Sequence, residues 1–411
     1  MKKYKLPLWQ QVLLSLVVGT ITGIILGPAA QPLNYLGLLF LNLIKMVTVP
    51  MILFTIIYGM TNVEDSSDLY RVSIKALFIF LATSLIAVSI GLLVPIILKP
   101  GIGVSKSLLQ FNSSSITSSA TNFSVLDTLI GLIPTNIFTA LVEANMLQII
   151  IFAFLFGLGL HSKRDECRKL IIGIQQIALV FFSIIQVIMK LAPVGVFGYI
   201  AAIVGVEGIE VLFSLGALIL TIAIGCVTQY VAYMILIIVF AKISPVPFLK
   251  KILGAQMLAF ATSSSKATLV PLMDTAENSM GISRQKSRFL LPLSAALNMD
   301  GGAIYQASSA VFFAQILGVE FEIQQYVTLF LMCTLASIGG AGIPGGVLLF
   351  LGMVLQSVGL PIEAVLLVAS IDRILDMMTT VINVTGCGCV TLIVDKSENT
   401  LNVKKYYQSM K

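Results

Sequence analysis

Residues 370–384 read SIDRILDMMTTVINV, between the apolar runs EAVLLVA and GCVTLIV. Placing an ionised side chain at the centre of a bilayer costs about 2.5–3.5 kcal/mol on insertion scales, so Asp372, Arg373 and Asp376 need a reason to be there. At helical spacing Asp372, Asp376, Thr379 or Thr380, Asn383 and Cys387 follow one another down one stripe, which must face protein or water. Two readings compete. Arg373 stands three residues before Asp376, a spacing at which side chains meet, so a mutual salt bridge accounts for that pair. It leaves Asp372 and Asn383 unexplained, and a binding site accounts for them as well.

Three other polar clusters can meet this stripe. In ATSSSKATLVP, Ser263, Ser264, Ser265 and Thr268 offer hydroxyls, and amides at a helix start can hold a carboxylate. Lys266 adds positive charge, although serines also serve as packing residues between membrane helices and a lysine at a turn can reach the surface. LNMDGGAIYQ interrupts an apolar run with Asn298, Asp300, Gly301 and Gly302. A carboxylate beside freed carbonyls suits an oxygen-liganded cation such as sodium, whereas a glycine kink alone would not need the acid. SIGGAGIPGG leaves backbone groups open to a ligand or a gate, with close helix packing as the alternative.

These clusters sit in a chain of 411 residues that is 57% hydrophobic and 11% charged, with mean hydropathy +1.00. That composition belongs to an all-α polytopic membrane protein. The formal charge of +6 is spread too thinly for nucleic-acid binding, which needs clustered Lys and Arg. Five cysteines without metal or disulfide spacing and a single histidine, His161, argue against a metal centre, and GxSxG and P-loop signatures are absent. An N-glycosylation pattern does fall on Asn383, deep in a predicted span, and carries no weight there.

Apolar runs long enough to cross lie near 9–27, 35–60, 74–98, 129–160, 170–202 and 209–241. The first, with its basic start and no small-residue cleavage site, reads as a span rather than a removed signal peptide. Later runs are broken: 252–273 by SSSK, 289–317 by NMDGG and 325–357 by GGAGIPGG, while 361–394 carries the acidic stripe. Basic residues accumulate on the cytoplasmic side. Both termini, Arg71 with Lys75, the 163–169 cluster, Lys242 with Lys250 and Lys251, and Arg284 with Lys286 and Arg288 can all be inside only if 252–273 enters and leaves by one face. Lys99, Lys106 and the acidic VEFE (319–322) are then outside, and 325–357 becomes a second hairpin from the opposite face. Lys45, Lys190, Lys266 and Arg373 remain at membrane depth. The expected fold is eight transmembrane helices plus two re-entrant hairpins in inverted repeats, an arrangement that points to a transporter site near the midplane.

The motifs LIKMVTVPMI, KLAPVGVFG, ATSSSKATL, RFLLPLSAALNMDGGAIYQ, SIGGAGIPGG and LDMMTTVINVTG occur in that order along nearly the whole chain. Together they resemble the dicarboxylate/amino-acid:cation symporter family, which includes glutamate transporters and neutral amino-acid exchangers. The resemblance implies a homotrimer working as an elevator. Residues 1–70 and 99–205 would form the scaffold (spans one, two, four and five). Span three at 71–98 and residues 206–395 would form the moving transport unit, with a cytoplasmic tail at 396–411. It also implies that Asp376 holds the substrate ammonium, with Thr380 and Asn383 as further contacts, and that the serine tip of Ser264 and Ser265 receives an α-carboxylate. Thr83, Ser84, Asn298 and Asp300 match one sodium site; backbone at Ser337, Ile338 and Gly340, with Met299, matches a second.

Several positions depart from the family pattern. Thr379 stands where transporters of acidic substrates carry arginine, and Gly302 where they carry threonine. Cys387 replaces a sodium-ligating aspartate and is a poor ligand for a hard cation. Ser263 and Met377 occupy the two places where many members carry another arginine, leaving Lys266 and Arg373 as the available cations, and Val270 reads as an insertion before Pro271. An anionic side chain would be buried without a cationic partner, so a neutral amino acid such as serine, alanine or cysteine is the expected substrate. Glutamate, aspartate or a C4-dicarboxylate is the alternative. The substrate candidates are thus Ser264, Ser265, Lys266, Gly302, Gly345, Asp376, Thr379, Thr380 and Asn383. The cation candidates are Thr83, Ser84, Asn298, Met299, Asp300, Ser337, Ile338, Gly340, Asp372 and Asn383. Sodium ions or protons are the expected coupling ions, with no prosthetic cofactor, and the location is a cell membrane, the inner one if bacterial. A channel with re-entrant filter loops and an intramembrane enzyme pairing Asp300 with Asp372 or Asp376 are the other classes weighed. The acid pair requires two carboxylates brought together, which no spacing indicates.

Overall fold

The computed structural model describes residues 8–61, 67–102, 133–143, 146–339 and 346–408, and these hold helices and no strand. Gly340, Gly345, Lys106 and the start of the 129–160 run lie outside the described residues. Five stretches among those described are long and apolar enough to cross a membrane: Gln10–Tyr58, Arg71–Leu98, Arg168–Met189, Leu212–Ala241 and Asp372–Ser397. The first contains two helices, α1 (Leu8–Leu26) and α2 (Asn34–Thr61), joined by the 3-10 turn Gly27–Leu33, whose Pro28 and Pro32 interrupt helical hydrogen bonding.

Next come α3 (Ser67–Leu98), α4 (Ile137–Val142), α5 (Met146–Ser162), α6 (Arg168–Met189), α7 (Ala192–Glu207) and α8 (Glu210–Leu236). The run expected as one span at 170–202 is two helices. Pro193 opens α7, and the turn before it tightens as Lys190 N donates to Val187 O and Leu191 N to Ile188 O. A proline ring cannot continue the preceding helix without striking a carbonyl one turn back. Helices α1 and α7 lie backbone to backbone: a Cβ on Gly23 would stand 2.6 Å from the Ala201 carbonyl oxygen, an approach only glycine permits. α2 packs against α5, α6 and α7.

Two of the three broken runs, 252–273 and 325–357, supply pairs of hairpin arms. α9 (Val246–Thr262) and α10 (Ser265–Asp274) meet at Ser263 and Ser264, with Ser263 in the left-handed region at φ 49°. Ser264 caps α10, its Oγ accepting from Ala267 N at 3.2 Å. The run at 289–317 divides into α11 (Arg284–Leu297) and α12 (Asp300–Leu317), with Asn298 and Met299 in non-helical conformations between them. The second hairpin has arms α13 (Ile323–Gly339) and α14 (Gly346–Ser357), and the last run comprises the short α15 (Val365–Ala369), a break at Ser370 and Ile371, and α16 (Asp372–Ser397). A final helix, α17 (Val403–Tyr407), follows.

α12 and α16 are buried on nearly every side and form the centre against which α3, α8, α9, α13 and α14 pack. Outer helices instead present large apolar side chains, including Ile25, Phe78 and Phe213, as a lipid-facing surface requires. Asn298, Asp300 and the polar stripe of α16 therefore lie in the most enclosed part of an otherwise apolar molecule.

Residues 396–408, expected as a cytoplasmic tail, fold back onto the basic end. Lys251 Nζ donates to the carbonyls of Ser279 (2.8 Å), Lys405 (3.0 Å) and Tyr406 (2.7 Å). Tyr406 Oη donates to Ser244 O, and Asn402 N to Gly281 O. Glu398 receives both Arg71 and Lys75 from the start of α3.

Candidate functional site

The break between α11 and α12 is the hub of a buried network. Asp300 is fully buried at the first position of α12. Its Oδ1 accepts from Ser84 Oγ of α3 at 2.8 Å and its Oδ2 from Tyr233 Oη of α8 at 2.6 Å. Ser84 Oγ also lies 3.0 Å from Ser337 Oγ of α13. With its own proton directed to the carboxylate, Ser84 must accept there and Ser337 donate. Thr83 Oγ1 lies 3.2 Å from Asn298 Oδ1, and Gln229 Nε2 donates to the Thr83 carbonyl at 3.3 Å. Thus α3, α8, α12 and α13 deliver oxygens to one point around a carboxylate. Among the described residues no Lys or Arg pairs with Asp300.

α16 completes the hub from the other side. Asn383 Oδ1 accepts from Gly301 N at 2.8 Å, and its Nδ2 lies 3.8 Å from Met299 Sδ. A Cβ on Gly301 would sit 2.2 Å from the Thr379 carbonyl oxygen, so the contact of the two helices needs glycine at that position. Asp376 lies two turns before Asn383 on the same face and is 6% exposed, with Thr380 Oγ1 3.5 Å from its Oδ1. Thr379 is fully buried, its hydroxyl directed to the Asp376 carbonyl.

The serine tip reaches the start of α16. Arg373 Nη2 lies 3.5 Å from the Ala261 carbonyl at the end of α9, which ties this guanidinium to hairpin 1. Ser263 and Ser265 are buried, and Ser263 Oγ has no hydrogen-bond partner. Lys266 lies on the exposed side of α10.

Asp372 does not join the Asp300 set. It accepts from Tyr305 Oη at 2.8 Å, and Tyr305 stands five residues after Asp300, on a different face of α12. The acid pair that an intramembrane enzyme would need is therefore not assembled from Asp300 and Asp372. Gly302 lines a small cavity with Met299, Gln306, Ala336, Ser337, Val347 and Phe350. Ile338 lies in the last turn of α13, next to Ser337. Cys387 is buried beyond Asn383. No group of three or more His, Cys, Asp or Glu placed to hold a metal occurs among the described residues. The cation candidates are neutral oxygens around one acid, a set suited to a monovalent ion.

Tyr233 and Gln229 were not singled out in the sequence. The signal was available, since two polar side chains one helical turn apart interrupt the apolar run CVTQYVAY. A tyrosine in a span has many bland explanations, and only its distance to Asp300 gives it a role.

Residues 8–397 match the model of the sodium:dicarboxylate symporter family. A proton/sodium-glutamate symport protein of Geobacillus stearothermophilus is 33% identical over 408 residues, covering 98% of this chain and 97% of the relative. A proton/glutamate-aspartate symporter of Escherichia coli (strain K12) is 30% identical, covering 98% of this chain and 96% of that protein. A C4-dicarboxylate transport protein of Bacillus subtilis (strain 168) is likewise 30% identical, over 100% of this chain and 98% of its own length.

Proposed function

We propose that this chain, which belongs to the sodium:dicarboxylate symporter family, carries an acidic amino acid or a C4-dicarboxylate across the membrane together with sodium ions or protons. The neutral substrate expected from Thr379 and Gly302 finds no counterpart among these relatives, whose names specify glutamate, aspartate or C4-dicarboxylates. It is set aside. The family consists of transporters, not enzymes.

One observation carries the coupling reading. Asp300 is fully buried, and its described partners are the neutral hydroxyls of Ser84 and Tyr233. A buried carboxylate held only by neutral donors lacks compensating charge, and a cation bound with the substrate supplies it. In this reading Thr83, Ser84, Asn298, Asp300 and Ser337 hold the coupling ion. Asp376, Thr380, Asn383 and the serine tip hold the substrate, and the Gly301–Asn383 hydrogen bond links the two.

The packing supports dividing the chain into a scaffold of α1, α2 and α5–α7 and a transport unit of α3 and α8–α16, since each set packs chiefly within itself. A homotrimer moving as an elevator, with both termini cytoplasmic, belongs to the same proposal. The test is uptake of labelled glutamate, aspartate and succinate into vesicles bearing the full-length protein, with and without inward sodium or proton gradients. Gradient-driven uptake that disappears in Asp376→Ala is expected. Uptake indifferent to every cation gradient, or undiminished in that variant, overturns the reading.

A further inference from the structure

The carboxylate at the hub is gripped from two sides. Ser84 of α3 donates to Asp300 Oδ1 at 2.8 Å, and Tyr233 of α8 donates to Oδ2 at 2.6 Å. Ser84 is among the oxygens assigned above to the coupling ion, whereas the fully buried Tyr233 is not. The packing keeps room for its hydroxyl: a Cβ on Gly386 of α16 would stand 2.6 Å from Tyr233 Oη, so a larger residue there would push the hydroxyl aside. One turn earlier on α8, Gln229 Nε2 donates to the Thr83 carbonyl at 3.3 Å. α8 therefore acts on two members of the cation set, each time as a donor to an oxygen.

A donor to a carboxylate has two effects on an ion bound beside it. The first is direction: the terminal torsion of an aspartate is broad, and a hydrogen bond to each oxygen from a different helix holds the carboxylate plane before the ion arrives. The second is charge. A hydrogen bond to an ionised acceptor is charge-assisted, so the donor draws on the same negative charge that the ion uses. Choice among monovalent cations follows the field their ligands present, set against the cost of stripping the ion's water. Lithium is smaller than sodium, loses more hydration and needs the stronger field. A bare carboxylate presents that field, and one tempered by a phenol hydroxyl presents less of it.

We infer that Tyr233 is a positioning residue of the cation site, which by donating to Asp300 Oδ2 orients the carboxylate and biases the site toward sodium over lithium. The inference rests on the proposed role of Asp300 in holding the coupling ion, and it adds what decides which ion is held.

The experiment follows uptake of labelled glutamate, aspartate or succinate into vesicles bearing the full-length protein, at one fixed pH, as external sodium or lithium is raised. Thermal stabilisation by each ion without substrate is measured alongside. Tyr233→Phe keeps the ring and removes the donor. The sodium concentration for half-maximal uptake is expected to rise about tenfold, the scale of losing one hydrogen bond to a charged group, while uptake at saturating sodium stays near wild type. The preference for sodium over lithium is expected to fall several-fold in both measurements. Replacing Tyr233 by 3-fluorotyrosine keeps the hydroxyl and makes it a stronger donor, so the preference should rise. It also decides the matter where Tyr233→Phe is not recovered folded. Tyr230→Phe is the control on the same helix: its hydroxyl accepts from Gln256 Nε2 at 3.1 Å, and the variant should keep the wild-type preference. A preference unchanged in Tyr233→Phe and in the fluorotyrosine protein overturns the inference, even if both ions bind more weakly, as they would after a merely structural loss. Wild-type uptake driven by protons and indifferent to sodium and lithium overturns it too. Each of these results leaves the transport reading standing. Uptake indifferent to every cation gradient overturns both.

Discussion

The basic end of α16 and the hub around Asp300 treat buried charge in opposite ways. At the basic end Asp395 is fully buried and saturated: Ser283 N (3.0 Å), Ser283 Oγ (2.6 Å) and Thr400 Oγ1 donate to it, and Lys286 Nζ stands 3.7 Å away. Lys251 is matched by three carbonyls and Glu398 by two cations. Around the hub, by contrast, Asp300 has only neutral donors, and Asn298 Nδ2 and Gln306 Oε1 lack partners. Saturation marks a charge that holds the frame together. Shortage of partners marks one that a ligand completes.

The largest test of this contrast is Asp395→Ala. Breaking a saturated buried group leaves Lys286 and Ser283 without their acceptor, and a loss of about 3–5 kcal/mol is expected, read as a lower melting temperature with or without ligands. Asp300→Asn should do the reverse. It costs little stability in cation-free buffer but removes the gain on adding the coupling ion, about 2.7 kcal/mol at a hundred times the dissociation constant. If both variants melt early in cation-free buffer, the contrast fails.

A smaller effect is expected at Lys251→Met, where charge-assisted hydrogen bonds worth about 1.5–3 kcal/mol are lost. Limited proteolysis near residues 400–408 should then speed up, while ligand-induced stabilisation persists. The smallest concerns Glu398, which lies beyond the end of α16. Hydrogen bonding to Lys75 foremost, then to Arg71, together with their charges, holds its carboxyl below the ordinary glutamate value against the opposing effect of burial. A depressed carboxyl contributes stability that is complete above its unfolded value, near 4.3, and is lost as pH falls through the folded one. Because Arg71 and Lys75 are largely exposed, the contribution is at most about 1 kcal/mol. It should shrink in high salt, and Glu398→Gln should abolish it.

Much of the plan was legible because it depends on local chemistry. Apolar run length marked most of the long helices, the serines marked the turn between α9 and α10, and NMDGG marked the break between α11 and α12. The break at Lys190 was missed although Pro193 was visible, since hydropathy continues smoothly across it. Lys404 and Lys405 counted only as topology markers, yet Lys405 Nζ also donates to the Glu277 carbonyl at 3.0 Å. A tail that docks by backbone carbonyls leaves almost no trace in residue types.

The sequence by itself determined that this chain lives in lipid, that its acids and broken helices must be sheltered, and which family pattern they follow. Hydropathy, charge and helical period act over a few residues and are written in order along the chain. Only the tertiary structure decided that Asp300 belongs with Ser84, Tyr233 and Ser337 while Asp372 belongs with Tyr305. It likewise decided that Gln306 Oε1 was left without a partner. A hydrogen bond is made or missed within a fraction of an ångström, and between residues so far apart in sequence that separation is set by the packing of whole helices.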